Sequence, residues 1–299
     1  MGEAVTLRAS PTVADAVDAF IAAAELADGT RRVYRGTLEA FAAAVGAGRR
    51  VSDVRAGDAQ VFLESSRHLA PRTYNRKLAT VGSFLGWCQA QGWVAAVPSM
   101  GSRRRVAADD TRAIPRAELE RLWRRDLDLR DKTLWRLLYE SAAWAGEVLA
   151  LDVGDLDLPN KRAVVTGKGG GREIIHWQAG SAQLLPRLLR GRDRGPVFLS
   201  HRRPPPARTP ASVDLCTVTG RARLSYRRAA ELFTSATGWT LHQLRHSALT
   251  HLAEDGVELP LLAAKSRHRS WRSLETYSRP GPDAVARLTA ATDPARRRR

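Results

Sequence analysis

The helical spacing of apolar residues that runs from Thr12 stops at Pro98 and resumes only near residue 114. The intervening run, PSMGSRRRVAADDT, carries Gly101, three consecutive Arg and two Asp, the composition of an exposed linker. A 299-residue chain interrupted in this way is expected to form two domains, each with its own core. The expected boundaries are 1–100 for the first domain, 101–113 for the linker and 114–299 for the second.

Before the break, residues 12–26, about 30–46, 55–66 and 72–91 read as four short helices. Asp28-Gly29, the glycines at 46 and 48, and Gly92 separate or end them. Thr12 suits a helix cap and Pro71 a helix start. The last of the four has Arg72, Arg76 and Lys77 at one end and Phe84, Leu85 and Trp87 further on. The apolar end suits a core. The basic end is either a solvated face or a surface for DNA phosphates. After the break, helices are expected at about 115–124, 131–150, 181–190, 223–237, 241–255, 259–266 and 271–278. Two β-rich runs, KRAVVTG at 161–167 and REIIHW at 172–177, flank Lys168-Gly169-Gly170-Gly171 and read as a hairpin with a flexible tip. Residues 202–222 read as a loop and Arg296–Arg299 as a polybasic tail.

Charge narrows the partners. The net charge is +17, which points to a polyanion. Residues 1–113 hold 15 basic and 11 acidic side chains and residues 114–299 hold 33 and 20, so +13 of the charge lies in the second domain. An anionic membrane surface would need a long basic amphipathic helix, and none is visible. There is no apolar run of spanning length and no apolar signal core, so a cytoplasmic protein is expected. Cys88 and Cys216 are isolated and read as buried thiols. No His/Cys/carboxylate group has metal-ligand spacing.

One series of residues carries chemistry. His242 and Arg245 are three apart and fall on one helical face, where they could grip a phosphate together. His268 follows, and Tyr277 lies nine residues beyond it. Such a set can move a phosphoryl group onto a phenol oxygen without a metal.

Four segments together resemble the tyrosine recombinase, or phage integrase, family. LLYESAAWAGEVLALDVGDLDL (137–158) resembles its first catalytic block, TGKGG its Lys-bearing hairpin, HQLRHSALTHLAEDGV its His-x-x-Arg helix and SRHRSWRSLETYS its G-H-x(8)-Y block. They occur in the family order. The resemblance implies a mainly α fold with a small β-hairpin or sheet. It further implies a helical core-binding (SAM-like) domain that clamps DNA and a tyrosine recombinase catalytic domain. It also implies a reaction. Tyr277 attacks a DNA phosphodiester to give a 3′-phosphotyrosine and a free 5′-hydroxyl, and a partner strand's 5′-hydroxyl reverses the step. No cofactor, ATP or metal is needed, because bond energy is kept in the intermediate. By the same resemblance Lys168 protonates the leaving oxygen, Arg245 binds the non-bridging oxygens, and His242 and His268 donate hydrogen bonds or shuttle the tyrosyl proton. His246 and His251 are assigned packing or capping. Double-stranded DNA is the implied partner, with monomers in solution and a homotetramer on DNA.

Two departures from the family pattern stand out. The family has an Arg three residues before the Glu of its first block; here Trp144 precedes Glu147. Ser266-Arg267 replaces the usual Leu-Gly before His268. Losing one donor to a developing oxyanion costs roughly 10²–10³ in rate, about 3–4 kcal/mol. Glu147 also loses its expected ionic partner. The alternative is that Trp144 fills a core gap while another arginine, Arg267 or Arg269 beside His268, supplies the missing charge at the phosphate. The expected function is site-specific recombination with impaired catalysis. The alternatives are a catalytically silent DNA-binding homologue and a topoisomerase of the same chemistry.

Overall fold

The computed structural model describes residues 10–106, 113–167, 170–268, 274 and 289–290. The chain forms two compact units, Met1–Ala108 and Asp109–Arg299. Each is mainly helical, and a small three-stranded sheet lies in the second.

The first unit is built from α1 (Val13–Ala23), α2 (Asp28–Val45), α3 (Ala56–Ser65) and α4 (Pro71–Ala90). Thr12 caps α1 by accepting from Asp15 N at 3.2 Å, which satisfies an otherwise orphaned amide. Pro71 occupies the first turn of α4, where its missing N–H costs nothing. Val17, Ile21, Leu38, Phe41, Phe62, Leu63, Val81, Phe84 and Leu85 close the core, with Phe20, Phe41, Phe62 and Phe84 meeting edge-to-face. The stretch expected to be a linker from residue 101 is held down through Arg104. The Asn75 side chain donates to Arg104 O at 2.8 Å and accepts from Arg104 N at 2.7 Å. The Arg104 guanidinium donates to Arg67 O and Leu69 O. Composition marked this stretch as polar, but it could not reveal that Asn75 of α4 and the turn before α4 supply its partners.

The second unit comprises α5 (Arg116–Arg124), α6 (Leu129–Ser141), α7 (Ala145–Ala150), α8 (Ala179–Leu189), α9 (Tyr226–Thr237), α10 (Leu241–Glu254) and α11 (Leu259–Ser266). Its strands β1 (Leu156–Asp157), β2 (Arg162–Thr166) and β3 (Arg172–His176) lie in that order, all antiparallel. Ala163, Val165 and Ile175 face the core, as the period-2 pattern requires. Gly170, at φ 81°, turns the hairpin. Helix α6 is central, with Leu134, Trp135, Leu137 and Leu138 all buried. Its buried Glu140 accepts from Gln178 N at 2.9 Å and Ser181 N at 3.1 Å, so the carboxylate caps the start of α8.

The sequence pattern suggested one helix over 131–150, but the structure has two. Ser141 Oγ turns back to Leu137 O at 2.6 Å and accepts from Ala143 N at 3.2 Å. Ala142 takes a left-handed backbone, φ 51°, which costs a non-glycine residue roughly 1–2 kcal/mol. Its carbonyl is used by Arg245, on α10. A long-range side chain therefore stops α6, with no Gly or Pro at the break.

Candidate functional site

The break between α6 and α7 creates the site. It places Trp144 at the N-terminal end of α7, across from the first turns of α10. Thr240 and Gln243 start α10 with a reciprocal cap, Thr240 N donating to Gln243 Oε1 at 2.9 Å. His242 is then exposed and Arg245 buried, at 1% exposure.

Trp144, His242 and Arg245 form one stack. The Trp144 and His242 rings lie 5.4 Å apart and 16° from parallel. The Arg245 guanidinium carbon sits 4.4 Å from the Trp144 ring centre, a cation–π contact. Arg245 donates to Ala142 O and, at 2.6 Å, to Ser266 O. Trp144 is 45% exposed. Its indole lies over the guanidinium, half-exposed itself while Arg245 is buried.

The C-terminal end of α11 adds the remaining described groups. Ser266 Oγ lies 2.7 Å from His268 Nδ1 and donates to Ala263 O at 3.2 Å. The Ser266 hydroxyl thus links the His268 ring to the last turn of α11. Burial, then the charges of Arg245, Arg267 and His242, hold the His268 pKa down to about 4. Lys265 is also depressed, to about 8, by burial and then by Arg267; its Nζ donates to His176 O at 2.8 Å. This crowding of cationic groups is a place where an anion relieves repulsion.

Of the residues expected from sequence, His242, Arg245, His268, Trp144 and Glu147 come together here. Lys168 and Tyr277, and the alternative cation Arg269, lie outside the described residues. Sequence reasoning did not foresee how Arg267 is used. It is 8% exposed in its side chain and forms ion pairs with Glu147 and, at 2.8 Å, with Glu173. Its only signal was its place where the family pattern has glycine. In the first unit Arg72 and Arg76 are exposed on α4, whereas Lys77 turns inward. Lys77 Nζ donates to Ser66 Oγ at 2.9 Å and lies 5.3 Å from the Phe62 ring centre. Its ammonium is thus engaged within its own unit, while Arg72 and Arg76 face solvent.

One cluster departs from the expected lack of metal-ligand groups. Ligand atoms of Asp128, Asp131 and His201 lie within 4.8 Å of one another. Spacing could not show it, because His201 joins from a distant loop. Both carboxylates are already used: Asp131 holds Arg130 at 2.6 Å, and Asp128 caps α6 by accepting from Arg130 N at 3.1 Å.

His251 is buried against Tyr139, with Nδ1 2.8 Å from the hydroxyl. Burial, then Arg116, hold its pKa down to about 4. An unfolded His titrates near 6.5. Between those values the unfolded chain binds protons that the folded chain refuses, so stability falls as pH drops from about 6.5 toward 4. Thermal melts at pH 7 and pH 5 are expected to show a lower midpoint at pH 5, and His251→Gln should remove part of that drop. An unchanged midpoint would contradict the neutral state of both imidazoles in the folded chain.

With fold and site in view, the class is clear: a helical two-unit chain whose second unit joins a His-x-x-Arg helix to a small antiparallel sheet. Residues 108–282 match the family described as the Phage integrase family, and the chain belongs to it. Tyrosine recombinase XerC of Mycobacterium sp. (strain JLS) is 26% identical over 307 residues, covering 95% of this chain and 98% of that protein. Tyrosine recombinase XerD of Mycobacterium leprae (strain TN) is 31% identical over 178 residues, covering 56% of this chain and 54% of its own length. In fold, the chain resembles the Tn1549 transposon integrase solved with circular intermediate DNA (TM-score 0.67, 14% identity, 94% of this chain and 99% of that one). It also resembles a lambda integrase dimer bound to a COC′ core site (TM-score 0.66, 15% identity, 90% and 77%). No helix among the described residues is long and apolar enough to cross a membrane.

Proposed function

We propose that the protein is a site-specific DNA strand transferase that works through a 3′-phosphotyrosine on Tyr277 and is held at low activity by Trp144. The observation that carries this reading is the stack of His242, Trp144 and Arg245, set beside His268. In the forward step the Tyr277 oxygen bonds to phosphorus and the P–O5′ bond breaks. Lys168 supplies the proton to the leaving 5′-oxygen. His268, held neutral by burial and the charges around it, takes the tyrosyl proton; the bound phosphate raises its basicity by offsetting the surrounding positive charge. Arg245 and His242 neutralise the charge that builds on the non-bridging oxygens. The partner strand's 5′-hydroxyl then displaces Tyr277.

The partners follow from the same reading. Duplex DNA is the substrate, the relatives solved on DNA support it, and the site of action is the cytoplasm. The first unit clamps the duplex, with Arg72 and Arg76 on phosphates. The assembly is a tetramer on two sites, formed from monomers. Phosphate contacts dominate affinity, given a net charge of +17. Log K for duplex DNA is therefore expected to fall steeply and linearly with log salt between about 50 and 200 mM. Affinity that ignores salt in titrations over that range would defeat the nucleic-acid reading.

The second reading is a silent DNA-binding homologue, and the Trp144 ring over Arg245 is what favours it. Trapping on a nicked suicide duplex, which holds the covalent intermediate, separates the two. A trace of adduct that Trp144→Arg increases supports the transferase. No adduct from either protein on a duplex that both bind specifically supports the silent homologue.

A further inference from the structure

Arg267 sits where a side chain is costly. It follows α11 with φ 58° and ψ 31°, a left-handed conformation that glycine adopts freely and other L-residues do not. Something must offset that cost. The side chain is almost wholly buried and spans two elements: Nη2 pairs with Glu147 at the start of α7, and Nε pairs with Glu173 on β3 at 2.8 Å. Glu147 is itself only 10% exposed and also accepts from Trp144 N at 3.1 Å. Without Arg267, two carboxylates would share a mostly buried space with no cation between them, a costly arrangement. The hairpin makes room for the pair, since a Cβ on Gly167 would meet the Glu173 carboxylate at 3.0–3.1 Å.

We propose that Arg267 is a positioning residue: its guanidinium is the counter-charge of Glu147, taking the place of a cation at residue 144, and residues 144 and 267 form a compensating pair. Residue 144 is one helical turn before Glu147 and already donates its backbone N–H to that carboxylate, so an arginine there can reach Glu147. In this chain the charge comes instead from the residue next to His268, and it also ties β3, the second hairpin strand, to the start of α7. Two of the guanidinium nitrogens are spent on carboxylates. The third, Nη1, is buried and has no hydrogen-bond partner among the described residues. Arg267 thus replaces the ion pair but not the two-armed fork that grips a phosphate. The inference deepens the strand-transferase reading and rests on it for the meaning of the site.

The test is a double-mutant cycle on the full chain: the parent, Arg267→Gly, Trp144→Arg and the double variant, with Arg267→Lys as a fifth protein. Thermal midpoints, duplex affinity against salt, and trapped adduct on the nicked duplex are measured for each. Arg267→Gly should lower the midpoint by about 10 °C even though glycine relieves the backbone. In the double variant at least half of that loss should return, which a mere packing role for Arg267 would not allow. Arg267→Lys, whose single ammonium cannot hold both carboxylates in fixed geometry, should fall between. The salt slope of DNA binding should not change in Arg267→Gly, because the side chain makes no phosphate contact. Strictly additive midpoints, or an unaltered midpoint in Arg267→Gly, would overturn the pairing. Should Arg267→Gly fail to fold, recovery of folding in the double variant supports the pairing, and a double variant that also fails overturns it. Absence of adduct from every variant despite a coupled cycle would sink the strand-transferase reading and leave the pairing standing.

Discussion

Trp144→Arg should raise the rate of covalent adduct formation by at least about 10²-fold while leaving duplex affinity nearly unchanged. Two effects of the tryptophan are reversed at once. The substitution restores a charged donor near the phosphate, and it removes the indole lying 4.4 Å from the Arg245 guanidinium carbon and stacked on His242. Phosphoryl transfer gathers negative charge in its transition state beyond that of the ground state, so a missing guanidinium costs rate more than affinity. A Trp144→Ala variant separates the two effects. It uncovers Arg245 without adding charge, and a gain well short of that from arginine is expected. If alanine and arginine perform alike, cover alone is the defect. Because Arg267 already serves Glu147, an arginine introduced at 144 is free to turn toward the phosphate. Single-turnover trapping on a nicked duplex, with affinity measured in parallel, checks both statements. Brisk cleavage by the unaltered chain would contradict the account.

Tyr277→Phe should abolish the adduct, with no residual product detectable above background, in the parent and in Trp144→Arg alike. Losing one hydroxyl removes the nucleophile and nothing that binds DNA at a distance, so affinity and its salt slope should be retained. The chain has five tyrosines, and the described structure offers one rival. Tyr226, the first residue of α9, is 54% exposed. It stands apart from the His242 and Arg245 stack in sequence and has no His nine residues before it. Tyr226→Phe is therefore expected to leave the adduct yield unchanged. Denaturing gels of the trapped product read both variants directly.

Much of the fold was legible in the sequence because it follows from local rules. The helices around Phe20, Phe41, Phe62 and Phe84 follow apolar spacing, and strands β2 and β3 follow alternation around a glycine-rich turn. What local rules could not reach were features fixed by distant side chains. The division of α6 from α7 depends on Arg245 taking the Ala142 carbonyl. Lys77 turns inward because Ser66 and Phe62 lie beneath it. At the site, the substitution at Trp144 was visible as a missing charge, but its second effect, an indole over Arg245, depends on the turn before α7 meeting α10. The pairing of Arg267 with Glu147 spans 120 residues and left no spacing to read.

The measurement that bears most directly on the account is peptide mapping of the adduct trapped by Trp144→Arg on a nicked duplex. One modified residue is expected, Tyr277, carrying a 3′-phosphoryl nucleotide, with a matching free 5′-hydroxyl on the released strand. Modification at Tyr226 or any other residue, or a 5′-linked product, would contradict it.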